Sequence, residues 1–206
     1  MKLRKIVKKI RLSPQLRSKL KEFCTIHGIK SLRPIIDVKT RWNSTYKMID
    51  RAEYLKIALN SLCSGESSLT MFALPESEWV ELRIIKNLLS KFNHATNKLS
   101  TNRHPTIVSY IPIMDYLRSS LKTFIDKNGG VAQTAAEAAL EKLDNYKANL
   151  DVCEIPFIST IFHPGHKLLY FKEHREQGHE QKKIKDLFEK VYRNNYKSIE
   201  THNSQP

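Results

Sequence analysis

Apolar residues recur three and four positions apart along most of this chain, and that spacing constrains its fold more than any other feature. Leu3, Ile6, Val7 and Ile10 open the pattern, and Leu16, Leu20 and Phe23 continue it. Tyr46, Ile49, Ala52, Leu55, Leu59 and Leu62 form a second stripe. Trp79, Leu82, Ile85, Leu89, Phe92, Ala95 and Leu99 form the clearest one. Such spacing lines one face of an α-helix, whereas a half-buried strand alternates with period two. With only 6 glycines in 206 residues, the short strands and tight turns of a sandwich or barrel are not expected. The expected fold is all-α, an irregular multi-helix domain of about seven helices.

Helix boundaries are read from capping chemistry. Ser13-Pro14 is a start signal, with serine as N-cap and proline at the first helical position, where its missing N–H costs nothing. Gly28 is a stop. Leu32 to Val38, interrupted by Pro34, reads as an extended connector or brief strand. One helix is expected from about Asn43 to Leu62, ended by Ser64-Gly65, with a polar, serine-rich loop over 63–75. Ser77 precedes the Trp79 run, and Asn102 to Pro105 breaks it. Thr106 can cap the next run, which Pro112 should kink or split. After the Asn128-Gly129-Gly130 turn, helices are expected over 131–150, 167–174 and about 178–200. Residues 151–165 read as irregular, and the tail Thr201–Pro206 as frayed.

Charge is the second strong feature. The formal net charge is +14, with pI near 9.7. Residues 1–30 carry ten Lys or Arg against one acid, Glu22. A field of this sign attracts polyanions, because each phosphate contact releases counterions. The opposing reading is a solvated helix face. The organisation expected is a basic helical arm and connector over 1–36, a helical domain over 37–200 and the tail.

Several chemistries find no support. Cys24, Cys63 and Cys153 are far apart and odd in number, so they read as buried reduced thiols of an intracellular protein. No apolar run approaches the ~18 residues of a membrane span, and no signal-peptide core follows Met1, so no membrane partner is expected. His163-Pro164-Gly165-His166 is an HxxH, but Pro and Gly make it a turn, and no second His or Cys pair stands at zinc spacing. There is no nucleophile elbow and no glycine-rich phosphate loop. No metal or cofactor is expected.

One block concentrates recognition chemistry: Asp37-Val38-Lys39-Thr40-Arg41-Trp42-Asn43-Ser44-Thr45-Tyr46. On residue type alone, Trp42 reads as a core residue at a helix entry with Arg41 packed alongside. The alternative is a stacking platform, with Arg41 on phosphate. Asp37 reads as a cap or salt-bridge partner, since one carboxylate does not supply a two-metal site.

Residues 37–51 resemble the D-V-x-T-R-W-N-S-T-Y-x-M-L-x-R segment of hAT-superfamily transposases, including domesticated members with a BED zinc finger. Three further blocks agree in order. Trp79, Leu82, Leu89, Phe92, Ala95, Thr96, Leu99 and Ser100 resemble the family's W-x-x-L…L-x-x-F-x-x-A-T-x-x-L-S helix. His104-Pro105-Thr106-Ile107 is similar to its Y-P-T-I start, and residues 162–171 to L-D-P-R-x-K-L-x-Y-F. In the last block His163 stands where the family has Asp, and Gly165 where it has Arg.

The resemblance implies the helical insertion of a ribonuclease-H-like transposase, a fragment lying after the second catalytic Asp and before the catalytic Glu. It implies a nuclear, DNA-binding segment that is not catalytic alone, because the carboxylates that hold divalent metal ions in the family are missing. The stacking role of the family tryptophan carries to Trp42, with Arg41 beside it. The candidate DNA contacts are Trp42, Arg41, Lys39, Lys5, Lys8, Lys9 and Arg11. The competing expectation is a protein-interaction remnant that forms a homo-oligomer and has no affinity for DNA.

Overall fold

The computed structural model describes residues 1–38, 40–100, 106–150, 153–174 and 178–195. Among these the architecture is all-α, and no strand occurs. The elements are α1 (Lys2–Leu12), α2 (Pro14–Ile26), α3 (Trp42–Tyr54), α4 (Lys56–Gly65), α5 (Ser67–Thr70) and α6 (Glu76–Leu99). A 3-10 turn (Thr106–Ser109) leads into α7 (Tyr110–Lys127), α8 (Gly130–Leu150), α9 (Ile155–Phe162), α10 (Lys167–His174) and α11 (Gly178–Asn195). They form two compact units: residues 1–96 with 120–137, and residues 97–119 with 138–206.

In the first unit the stripes named above build one core. Leu3, Ile6, Val7 and Ile10 of α1 are buried with Leu16, Leu20 and Cys24 of α2, Met48, Ile49 and Ala52 of α3, and Leu59 and Leu62 of α4. Leu69, Trp79 and Leu82 complete it. The N-terminal helices expected as an arm are therefore part of the core. Their four-residue apolar face is as wide as that of any core helix, and burying a Leu or Ile side chain contributes about 1.5–3 kcal/mol.

The start and stop signals of α2 hold. Ser13 Oγ accepts from the Leu16 N–H at 3.3 Å. Gly28, at φ +64, ends α2. Its N–H donates to the Thr25 carbonyl and that of Ile29 to Cys24, so two otherwise orphaned carbonyls are satisfied. Residues 32–38 form neither helix nor strand and serve as a connector.

Four local expectations are corrected. The single helix over 43–62 is two, because Leu55 leaves helical geometry at φ −90, ψ 6. Its N–H still reaches the Arg51 carbonyl at 3.2 Å, and its own carbonyl accepts from Leu59 at 2.9 Å. The apolar period therefore crosses the break unchanged, which hides it from the sequence. The serine-rich loop contains α5, anchored by the buried Leu69. Pro112 lies not inside α7 but in its first turn, where its N–H would have no helical partner, and the run from Thr106 divides just before it, into the 3-10 turn and α7. Residues 155–162, expected as irregular, form α9 with Pro156 in its first turn.

In the second unit Ile111, Ile161, Tyr170, Phe171 and Ile184 form the core, with Phe157, Ile158, Leu168 and Phe188 packed against it. Residues 163–166 form the expected turn, with the His163 and His166 rings 4.4 Å apart. His163 Nδ1 accepts from the Gly165 N–H at 3.1 Å. Burial, then the charges of His163 and His174, lower the His166 pKa. Cys24 and Cys63 are buried as expected, but Cys153 is exposed. Among the described residues no helix is long and apolar enough to cross a membrane, and no group of three or more His, Cys, Asp or Glu is placed to hold a metal ion.

Candidate nucleic-acid interface

The block around Trp42 is a loop that fastens itself and projects two side chains. Asp37 is only 9% exposed. Arg4 of α1 reaches it with two nitrogens, Nε to Oδ1 at 2.7 Å and Nη2 to Oδ2. Thr45 Oγ1 donates to Asp37 Oδ2 at 3.1 Å. The Arg4 guanidinium holds the Asp37 carboxyl below the usual carboxylate range, against the opposing effect of burial. Asp37 is thus a salt-bridge partner and not a helix cap, and both of its oxygens are occupied.

Ser44 closes the other side of the loop. Its Oγ accepts from the Val38 N–H at 2.8 Å and lies 2.6 Å from the Arg41 carbonyl, to which it donates. The Arg41 N–H donates to the Val38 carbonyl at 2.9 Å. Ser44 and Thr45, which look in the sequence like recognition groups beside the tryptophan, are therefore consumed in shaping the loop.

Arg41 occupies the N-cap position of α3 and makes no side-chain cap. Its side chain is exposed. Trp42 follows as the first helical residue and is 54% exposed, so it is not a core tryptophan. One side of its indole rests on Phe92, with centroids 5.4 Å apart. Nε1 donates to Thr96 Oγ1 at 3.4 Å. These two supports lie one turn apart on α6 and were invisible at the level of the block itself. The second tryptophan behaves oppositely: Trp79 is buried, and its Nε1 donates to Asn60 Oδ1 at 3.2 Å.

The other candidate cations do not gather around Trp42. Lys5 and Lys9 stand 5.4 and 5.1 Å from the Phe72 ring centroid, and Lys9 Nζ also donates to the Ser68 carbonyl at 2.9 Å. Arg11 Nη1 donates to the Pro34 carbonyl at 3.1 Å. Lys8 is exposed, with no partner among the described residues. Lys39 lies outside the described residues. Much of the N-terminal charge is thus engaged within the fold: Lys2 pairs with Glu78 and Lys19 with Glu66 as well.

A charge cluster braces α3 against α6. Glu53 receives Lys86 at 2.5 Å and Arg83 at 2.8 Å. These two cations hold its carboxyl below the ordinary range. Lys86 also reaches Asp50 at 3.4 Å.

Residues 1–88, which include this loop, match the family model of the ZBED1 RNase-like helical domain. This stretch, less than half of the chain, is similar to that helical domain. It is 31% identical over 175 residues to tpeD of Talaromyces stipitatus, a protein named as a transcriptional regulator, covering 82% of this chain and 18% of the relative. It is 21% identical over 187 residues to human zinc finger BED domain-containing protein 4, covering 89% of this chain and 15% of that protein. The chain thus spans less than a fifth of either relative. No solved structure matches it. These similarities support a hAT-related family, the group that the Arg41-Trp42 block resembles.

Proposed function

We propose that this chain is a transposase-derived DNA-binding module that acts in the nucleus and does not cut DNA by itself. The observation that carries the reading is the pairing of an exposed cation, Arg41, with an exposed indole, Trp42, at the start of α3, where the neighbouring Asp37, Ser44 and Thr45 are already bonded. An aromatic face and a guanidinium together suit stacking on a base beside a phosphate. The net charge of +14 provides the long-range attraction. The kinship with proteins named as a transcriptional regulator and a BED zinc-finger protein agrees with a DNA-associated role. The non-cutting part of the reading leans on Asp37, the one carboxylate of residues 37–46, whose two oxygens are bonded by Arg4 and Thr45.

The test is a mobility-shift titration against random-sequence oligonucleotides over a range of salt. Binding that weakens steeply with salt is expected. No binding at low salt, or binding indifferent to salt, would overturn the reading. Magnesium-dependent strand cleavage abolished by Asp37→Ala would overturn the non-catalytic part.

One observation favours a second reading, association with another protein or a second copy. Ile155, Phe162 and Leu169 are exposed on α9 and α10 of the second unit. Light scattering that finds a salt-insensitive oligomer, combined with no DNA affinity, would favour it.

A further inference from the structure

The charges of α3 are segregated by tertiary structure. Asp50 and Glu53 face α6, where Lys86 and Arg83 neutralise them. Lys47, Arg51 and Tyr54 are spaced four and three residues apart, so they share another face of the helix. That face lies along the extended connector. Arg51 Nη1 donates to the Arg33 carbonyl at 2.9 Å. The Lys30 N–H donates to the Tyr54 hydroxyl at 3.2 Å. The side chains of Lys30, Arg33 and Lys47 are exposed, and none has an acidic partner among the described residues. Tyr54 is 48% exposed. The result is a strip of four cations and one aromatic, fastened in place through backbone groups, which leaves the Lys30, Arg33 and Lys47 ammonium and guanidinium groups unengaged. The strip occupies the Lys47–Tyr54 part of α3, whereas Trp42, at that helix's N-terminal end, lies on the face packed against α6.

We propose that Lys30, Arg33, Lys47 and Arg51 form a track for the DNA phosphodiester backbone, a second contact on a face of α3 other than the one that carries Trp42. The inference rests on the DNA-binding reading above and adds where the backbone lies. α3 is about 18 Å long, enough to lie beside several phosphates of one strand. Tyr54 adds a single half-exposed ring at the C-terminal end of the strip, where a base could stack. The track differs from the N-terminal cations singled out by sequence, of which Lys5, Lys9 and Arg11 are engaged within the fold.

The experiment measures the salt dependence of binding to a 20-base-pair random duplex for the full chain and three variants. Arg33→Ala/Lys47→Ala removes two track charges and leaves the Arg51 anchor in place. Arg17→Ala/Lys21→Ala removes two exposed charges from α2. Trp42→Ala removes the ring alone. The track variant should lose about 1.8 from the slope of log affinity against log salt, since each phosphate contact contributes about 0.9. The α2 variant should keep the full slope, and Trp42→Ala should bind more weakly at an unchanged slope. An unchanged slope in the track variant, with Trp42→Ala still impaired, overturns the track and spares the DNA reading. Equal losses in the track and α2 variants also overturn it, since diffuse charge then suffices. If the unaltered chain binds no duplex, the DNA reading fails and the track with it. Should alanine lower the melting temperature, Arg33→Gln/Lys47→Gln repeats the measurement with the aliphatic stems retained.

Discussion

Replacing Trp42 by alanine separates recognition from stability. The indole is half out of the fold and touches Phe92 and Thr96 on one side only. Trp42→Ala should therefore weaken DNA binding by about 1–3 kcal/mol, the contribution of one stacked base. Its thermal melt should move far less than that of Trp79→Ala, whose buried ring would leave a cavity worth about 3–5 kcal/mol. Acrylamide quenching gives a direct reading of the same asymmetry: Trp42 should quench readily and Trp79 poorly. Asp37 makes the opposite prediction. Its carboxyl is held below the usual range by Arg4, and its hydrogen bonds tie α1 to the loop. Asp37→Asn should destabilise the chain by about 2–3 kcal/mol, as loss of a charge-assisted pair does. The sign of the pH effect follows from the depressed folded pKa. The stabilisation is full above the unfolded value near pH 4 and is lost as pH falls through the folded value. Urea melts of the variant should lack that part of the acid dependence.

At the scale of elements, capping was legible because it is local. Ser13, Pro14 and Gly28 each act within four residues, and each does what its chemistry dictates. Ser13→Ala should cost about 1 kcal/mol through the lost N-cap. Gly28→Ala should cost about 1 kcal/mol because φ is positive there, although no neighbouring atom obstructs a Cβ. Both are read as shifts in urea midpoint. The break at Leu55 was not legible, because backbone bonding and apolar period continue across it. The helix over 155–162 was missed for the reverse reason. Proline at 156 looked like a breaker, yet it sits in the first turn, where it is tolerated. The cysteines test the element packing. Burial raises the thiol pKa of Cys24 and Cys63 and withdraws them from solvent. Ellman's reagent should therefore label Cys153 quickly, and the other two only on unfolding.

At the scale of the whole molecule, the basic N-terminus contributes to the structure as well as to the field. Lys2, Arg4 and Lys19 pair with acids, and Lys5 and Lys9 flank Phe72. Screening should therefore have two separate effects. The logarithm of DNA affinity should fall linearly with log salt, whereas the melting temperature should change little between low and moderate salt. Exposed ion pairs contribute only about 0–1 kcal/mol each, and the core carries the fold.

The local pattern of the sequence was enough to determine that the chain is helical, where α2 starts and stops, and that its field is positive, because each of these depends on neighbours within a turn or on a sum. The block that carries the family resemblance was also legible as a string. Which groups in it are available for a partner was not. Ser44 and Thr45 look like recognition chemistry until Val38 and Asp37 are brought to them, and Asp37 could equally be a cap until Arg4 reaches it. Trp42 looks like core until Phe92, fifty residues on, is seen to support only one of its faces. Exposure and pairing are properties of contacts between distant segments, and only the folded chain decides those.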